Sequence, residues 1–113
     1  MLEKVNLPQA ADSAGLFEYR GVGRLNGHAL SVLQAEDRTL EFHVHEYSDE
    51  LFYVIEGQFC IELEDGLVPM AQGDLLIIPK NTRHRPVVTA RVKCLLMELD
   101  GTLHAGNTGG AVQ

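Results

Sequence analysis

Four side chains in the middle of the chain have the types and spacing of a metal-ligand set: His43, His45, Glu50 and His84. His43 and His45 are separated by one residue, so on a β-strand both imidazoles point to the same face. Glu50 follows a turn signal and can return to that face on the next strand, and His84 lies after a later apolar run. Three imidazoles and one carboxylate suit a divalent transition metal: Fe, Mn, Zn, Ni or Cu.

Such a set leaves a bound divalent ion with a net charge of about +1 and with open coordination positions. The ion could polarise a substrate oxygen, activate water or bind dioxygen, while Glu50 either stays bound or detaches to act as a base. The alternative is that the His-x-His pair decorates an exposed strand and holds no ion. Three histidines and a glutamate gathered in an apolar interior would be costly without an ion, which favours the metal site.

The elements that must position these residues are short β-strands. From residue 28 onward, stretches rich in Val, Ile, Leu, Phe and Tyr alternate with turn signals at intervals of about 8–12 residues. This pattern predicts an all-β domain, either a sandwich or a barrel of antiparallel strands. Before it, residues 8–14 predict no more than a turn of helix. The predicted strands are 28–34, 39–45, 50–56, 58–64, 67–71, 74–78 and 91–98.

The run 51–55 is apolar on both faces of its predicted strand. A second sheet or a partner subunit must therefore cover its outer side as well as its inner side. Tyr53 falls on the outer side by the alternation of the strand, so it is not a candidate catalytic phenol.

The pocket beside the metal set is expected to take its walls from the strands that carry it. Phe52 and Val54 share the parity of Glu50, so they are predicted to line the interior and keep the site dry. Met97 is the predicted wall on the last strand, with Leu96 as the alternative because the parity there is ambiguous.

Three basic residues, Lys80, Arg83 and Arg85, cluster around His84. At the mouth of a barrel they could hold a carboxylate or phosphate of a substrate. The alternative, that they are solvated loop charges, is favoured.

The overall composition excludes several function classes. The 113 residues carry 16 acidic and 9 basic side chains, for a net charge of −7. This balance argues against a nucleic-acid partner or an anionic membrane surface, and no apolar run approaches the ~20 residues of a membrane span. We expect a cytoplasmic protein, because residues 1–14 lack an apolar signal core and the two cysteines, Cys60 and Cys94, are too few for a disulfide scaffold.

The ligand candidates also fall into two ordered motifs that resemble the signatures of the cupin superfamily. The matching positions are His43, His45, Glu50 and Gly57 for the first motif and Gly73, Pro79 and His84 for the second. Fifteen residues, 58–72, separate the motifs, and an ordered pair is far more specific than either motif alone. The chain departs from the motifs at Asp37, Asn81 and Val88, none of which is a ligand; the first two replace glycines of turns, and asparagine tolerates a positive φ better than most residues.

The resemblance implies a single-domain, all-β cupin fold, an antiparallel β-barrel also described as a double-stranded β-helix or jelly roll. It implies that His43, His45, Glu50 and His84 hold the metal ion. We expect residues 28–101 to form the barrel, residues 1–27 to add an edge strand or a dimer arm, and residues 102–113 to form a flexible tail.

Among cupins, the chain looks most like the small single-domain conserved-barrel (cupin 2) proteins labelled mannose-6-phosphate isomerase-like. That label describes kinship of fold, and fold does not imply function. The resemblance implies a small-molecule ligand or substrate and a homodimer. Two functions stay open: a metal-dependent dioxygenase, isomerase or lyase, and a non-catalytic metal-containing binding or sensor module. A barrel whose histidines hold no metal is a third alternative.

Overall fold

The computed structural model describes residues 2–100, which form one short helix and nine β-strands. The all-β prediction is confirmed. The helix α1 spans Leu7–Asp12. The strands are β1 (Arg20–Leu25), β2 (His28–Ala35), β3 (Arg38–Thr39), β4 (Glu50–Glu56), β5 (Gln58–Leu63), β6 (Gly66–Ala71), β7 (Leu75–Ile78), β8 (His84–Val88) and β9 (Val92–Leu99).

The strands form two antiparallel sheets. The larger sheet has the order β1-β2-β9-β4-β7, and the smaller has the order β3-β8-β5-β6. Apolar side chains from the inner faces of both sheets pack together, as in any sandwich or barrel. The predicted antiparallel jelly-roll architecture is therefore confirmed. The most deeply buried members of this core are Val54, Ile61, Val92, Leu96, Met70 and Ile78.

Six of the predicted strands are present within one residue at either end, as β2, β4, β5, β6, β7 and β9. The predicted strand 39–45 is wrong: only its start lies in β3, and beyond that only His43 forms an isolated bridge, to His84. Strand β8 was not predicted. Its sequence offers no apolar run, because Pro86 and Arg85 interrupt it, although His84, Pro86 and Val88 all face inward.

The N-terminal residues pack on the outer face of the larger sheet. The side chain of Asn6 caps α1 by accepting a hydrogen bond from the backbone of Gln9. The Gln34 amide of β2 donates to the carbonyls of Ala11 at 2.7 Å and Ala14 at 2.8 Å. Strand β1 lies at the edge of that sheet, and its exposed, glycine-containing sequence gave no strand signal. No helix in residues 2–100 is long and apolar enough to span a membrane; the predicted tail, 102–113, lies outside the described residues.

Turns with a positive φ hold the strands in register. Asp37 has φ 50° and Asn81 has φ 66°, so the two residues that replace motif glycines still adopt the left-handed conformation. At Gly57, φ is 91° and a Cβ atom would lie 2.6 Å from the carbonyl oxygen of Arg91. Gly57 is therefore required both by its backbone angle and by the close approach of the chain.

Candidate metal centre

The backbone brings the two histidine segments together. His43 and His84 exchange backbone hydrogen bonds of 2.9 Å and 3.1 Å, which set their side chains next to each other. The carbonyl of His45 accepts a further bond, 2.8 Å, from the backbone of Asn81. The loop that carries the His-x-His pair is thus tied to β8 and to the turn before it, although it is not a regular strand.

Glu50 is placed by the turn that precedes β4. The Ser48 hydroxyl accepts a 2.8 Å hydrogen bond from the backbone of Leu99, and the Asp49 carboxylate accepts one of 2.8 Å from the backbone of Lys80. These bonds connect the turn to β9 on one side and to the loop after β7 on the other. As a result Glu50, the first residue of β4, points inward toward the histidines.

The four candidate ligands converge in the interior. His43, His45, Glu50 and His84 are only 4%, 3%, 4% and 1% exposed. One ligand atom from each lies within 4.8 Å of all the others. Zinc–nitrogen and zinc–oxygen bonds of about 2.0–2.2 Å place ligand atoms on opposite sides of an ion about 4 Å apart. The cluster is therefore of the size that a single ion requires.

Hydrogen bonds fix the tautomers of two of the histidines. Nδ1 of His43 donates to the carbonyl of Glu41 at 2.9 Å, and Nδ1 of His84 donates to the carbonyl of Thr82 at 2.8 Å. A carbonyl can only accept, so Nδ1 of each ring carries a proton, and in the neutral ring Nε2 is the nitrogen with the free lone pair. This is how metal-binding histidines are commonly oriented, with the ring nitrogen away from the ion bonded to the backbone.

His45 provides the test of whether these residues fit a metal ion. It is buried, and neither of its ring nitrogens has a hydrogen-bond partner among the described residues. Its Nε2 lies 3.3 Å from Oε1 of Glu50, a charge contact but not a well-aligned hydrogen bond. Buried polar atoms in native structures are nearly always satisfied. The donor set and this unsatisfied ring fit a divalent transition metal; nothing in the set selects one metal.

The electrostatics of the cluster centre on Glu50. Burial alone would raise the pKa of Glu50, but the close contacts of its carboxylate with the rings of His45 and His84 outweigh burial and lower the pKa to about 2. Nε2 of His84 lies 3.1 Å from Oε1 of Glu50. Burial also lowers the pKa of His43, so the neutral imidazole is favoured. The cluster thus holds an ionised carboxylate and at least one neutral imidazole, the forms that bind metal.

Two further polar groups lie beside Glu50, and the sequence did not single them out. Burial first, then the charge of Glu50 and a hydrogen bond to it, raise the pKa of Glu98 to about 9. Burial, with the charges of Glu50 and Glu98, also raises the pKa of Tyr19. Glu98 lies on the inner face of β9, where Val92, Cys94 and Leu96 precede it at alternate positions. An acid at the inward parity of an apolar strand was the signal that could have revealed it.

The predicted pocket walls are only partly those of the structure. Phe52 lines a cavity next to the cluster, whereas Val54 is fully buried in the core behind it. Leu96 lines the cavity in place of Met97, because the inward positions of β9 are the even-numbered ones and Met97 lies half-buried on the outer face. Tyr53 faces outward, as expected.

Two of the three basic residues near His84, Arg83 and Arg85, have their partners outside the cluster. The guanidinium groups of Arg83 and Arg85 lie 4.7 Å and 4.4 Å from the ring centre of Phe42. Arg85 also donates a 2.7 Å hydrogen bond to Glu62. These contacts favour the solvated alternative over a substrate anchor at the barrel mouth.

Two antiparallel sheets around a buried three-histidine, one-glutamate cluster define a cupin barrel. The chain belongs to the Cupin_2 family: the family model described as "Cupin domain" matches residues 29–99.

Similar proteins occur in several bacteria. Protein SchB of Streptomyces halstedii is 33% identical over 93 residues, 81% of this chain and 67% of that protein. The polyketide synthase CurC of Streptomyces cyaneus is 35% identical over 65 residues, 57% of this chain, and the match spans less than half, 42%, of that protein. Among solved structures, a cupin-2 domain protein of Shewanella frigidimarina superposes with a TM-score of 0.72 at 25% identity, covering 75% of this chain and 82% of that one.

Proposed function

We propose that this chain binds one divalent transition metal ion through His43, His45, Glu50 and His84, and that the metal centre acts on a small organic molecule. The observation that carries the proposal is the buried His45 ring, whose two nitrogens have no hydrogen-bond partner among the described residues. When bound, the ion would supply Lewis-acid, water-activating or dioxygen-binding chemistry. The reaction would be of the oxygenase, isomerase or lyase type.

The chain's own residues prepare the site for that role. The carbonyls of Glu41 and Thr82 hold two imidazoles with Nε2 directed into the cluster. Phe52 and its apolar neighbours exclude water, which strengthens every electrostatic interaction inside. Glu50 keeps its negative charge and would offset half of the charge of a divalent ion.

The alternative function is a non-catalytic metal-containing binding or sensor module. Such a module needs no proton donor or acceptor beside its ligand. The structure has such groups, because the carboxyl of Glu98 contacts Glu50 and the hydroxyl of Tyr19 is close enough to sense the charge of both. This arrangement favours catalysis. The similarity to CurC, a polyketide synthase, adds support for an organic substrate rather than a metal-storage role.

Metal analysis tests the proposal. Untagged protein, purified without chelator, is compared with His45→Ala and with His28→Ala, a half-buried histidine outside the cluster as the matched control. We expect about one ion per chain in the wild type and in His28→Ala, and an affinity at least tenfold lower in His45→Ala. Folded wild-type protein that contains no metal and takes up none on titration would overturn the proposal.

The identity of the ion directs the search for activity. Iron would lead to an oxygen-consumption assay with oxidisable organic compounds, whereas zinc, manganese or nickel would lead to isomerase and lyase assays. Turnover in the loaded wild type that is lost in His45→Ala supports an enzyme. Stoichiometric ligand binding without product supports the binding module.

We also propose that the protein acts as a cytoplasmic homodimer. Both cysteines are free, which suits a reducing compartment, and burial raises the pKa of Cys94 to about 12, so the Cys94 thiol stays protonated. The outer face of the larger sheet carries an apolar surface suited to a second copy of the chain. A dimer-arm role for residues 1–27 remains a prediction.

A further inference from the structure

The cavity beside the metal cluster is apolar almost throughout. Its polar lining consists of His43 and Glu50, which belong to the cluster, together with Tyr19 and Cys94. All other lining side chains are hydrocarbon, with the ring pair Phe52 and Phe59 at its centre, 6.0 Å apart. No lysine or arginine from residues 2–100 lines it. A ligand inside would therefore find a charged partner only at the cluster end.

A charged group placed away from the cluster would be buried without a partner. The guanidinium groups of Arg83 and Arg85 stack on Phe42, which does not line the cavity, and Arg85 is paired with Glu62. The guanidinium of Arg38 lies against the Phe17 ring, and Arg38 does not line the cavity either. Burying an ionised phosphate or carboxylate among hydrocarbon side chains is strongly unfavourable. The cavity thus selects against sugar phosphates and dicarboxylates, although a fold label of the phosphosugar-isomerase kind would suggest them.

The free space in the cavity is small. It amounts to about 40 Å³, room for about three water molecules, whereas a benzene-sized ligand occupies a cavity of about 150 Å³. A ligand larger than a few atoms must therefore displace part of the wall. Most of the wall belongs to paired strands or to the core between them, so the wall must give way where the chain is least constrained.

Phe17 is that part of the wall. It lies between α1 and β1, outside any strand, and its main tie to the sheet is a 2.8 Å backbone hydrogen bond to Gln34. Its φ of 61° is unfavourable for a bulky residue, so its conformation stores strain that a movement could release. The ring is half-buried and lines the cavity, and the guanidinium of Arg38 lies 4.8 Å from its centre.

We infer that the barrel takes a small, uncharged, largely apolar molecule that displaces the Phe17 ring and turns a single polar atom toward the metal cluster. This inference deepens the proposed function and rests on it for the role of the metal. The selectivity itself comes from the cavity lining. The preference for an uncharged ligand is therefore expected in metal-free protein as well. The experiment can thus test this preference separately from metal binding.

A pair of matched probes tests the ligand class. 4-Methylphenol and 4-hydroxybenzoate share a phenolic oxygen and differ in an uncharged methyl group or a carboxylate at the far end of the ring. Their dissociation constants are measured by NMR titration with zinc-loaded wild type and with His45→Ala, and metal content is determined in each sample. We expect at least tenfold tighter binding of 4-methylphenol in both proteins.

Equal affinities, or no saturable binding of 4-methylphenol to either protein, would overturn the inference. Tighter binding of 4-hydroxybenzoate would also overturn it and would point to Arg38 as the carboxylate partner. A wild type that holds no metal but keeps the expected preference would defeat the metal proposal and support the cavity selectivity.

Two aromatic deletions test the role of Phe17. Phe17→Ala removes a ring that lines the cavity. Phe42→Ala is the control, because the Phe42 ring also stacks with arginine but does not line the cavity. We expect severalfold tighter binding of 4-methylphenol by Phe17→Ala and no change in Phe42→Ala. If Phe17→Ala does not fold, Phe17→Leu provides the same comparison with a smaller effect. An affinity unchanged by either Phe17 substitution would overturn the displacement of this ring.

Discussion

Glu50 and Glu98 form a buried pair of carboxyl groups with opposite protonation. Close contacts with the rings of His45 and His84 hold Glu50 ionised, whereas burial and the charge of Glu50 keep a proton on Glu98. Like charges in contact cannot both ionise in a low-dielectric interior. The pair therefore presents one acceptor to the metal cluster and one hydrogen-bond donor next to it.

The raised pKa of Glu98 makes stability dependent on pH. Between its ordinary value of 4.5 and its folded value of about 9, the native state holds a proton that the unfolded state has released. Stability must then fall as pH rises, by up to about 1.4 kcal/mol per pH unit. We expect this slope in urea unfolding of metal-free protein between pH 7 and 8.5, above the ordinary titration range of histidine.

Substitutions isolate the contribution of Glu98. Glu98→Gln cannot ionise, so its unfolding free energy should stay nearly level over the same pH range. Glu46→Gln, which changes an exposed glutamate, is the matched control and should follow the wild type. Wild type and Glu98→Gln with parallel pH profiles would contradict the assignment of the buried proton to Glu98.

At the level of single residues, the sequence was most informative where chemistry and spacing coincide. The metal ligands were found because rare residue types recur at fixed offsets. The wall residue on β9 was assigned to Met97 instead of Leu96 because residues 94–97 are all apolar, so alternation could not separate the two faces. Glu98 was missed for the same reason: its inward direction follows only once the even-numbered residues of β9 are known to face the interior.

Gly57 shows how one element fixes the position of the next. It joins β4 to β5, so it directs the chain from the sheet that carries Glu50 to the opposite sheet. A side chain there would combine a φ of 91° with a 2.6 Å contact to the backbone of Arg91. Backbone atoms cannot move aside as a flexible side chain would, so the strain must spread into both strands.

Gly57→Ala is therefore expected to lower the unfolding free energy by about 2–4 kcal/mol. Gly66→Ala is the control, because φ at Gly66 is not positive and an added Cβ would meet no atom within 4 Å. We expect its effect to stay within about 0.5 kcal/mol. The measurement is urea unfolding of both variants; equal losses would contradict a specific requirement at Gly57.

At the level of elements, periodicity located the strands that have a continuous apolar face and failed for the others. Strand β8 has inward residues as different as a histidine, a proline and a valine, so no hydrophobic pattern marks it. The stretch 39–45 has the composition of a strand, but beyond β3 it forms only an isolated pairing with β8. Both β8 and the stretch 39–45 take their conformation from tertiary contacts with each other and with neighbouring strands. Local strand propensity contains no information on such contacts.

The whole molecule is acidic, with a net charge of −7, yet one of its faces is apolar. We call this surface the outer apolar face. Cross-strand pairing places its members side by side on the outer side of the larger sheet, and α1 covers only the neighbouring part of that sheet. Contiguous exposed apolar residues are typical of protein interfaces, so we expect a partner to cover this face. The face comprises Leu30, Leu51, Tyr53, Leu75, Ile77, Leu95 and Met97.

A second copy of the chain suits this face, because a two-fold dimer would set one uncharged apolar surface against another. We expect light scattering after size exclusion to give about twice the chain mass of 12.5 kDa. Leu75 and Ile77 are each 54% exposed on the edge strand β7, so a double substitution, Leu75→Glu and Ile77→Glu, costs the single chain little. In a dimer it would bury four carboxylates without partners, so the variant should be monomeric and folded.

Leu67→Glu is the matched control, since Leu67 is an equally accessible leucine, 61% exposed, on the smaller sheet. This variant should keep the mass of the wild type. A monomeric wild type, or a control variant that dissociates as readily as the double variant, would contradict an interface on the outer apolar face.

Because the cavity and the metal ligands lie on the inner side of the same sheet, loss of the dimer should leave metal content unchanged. Metal loss on dissociation would instead mean that pairing of two chains holds β4, and with it Glu50, in place.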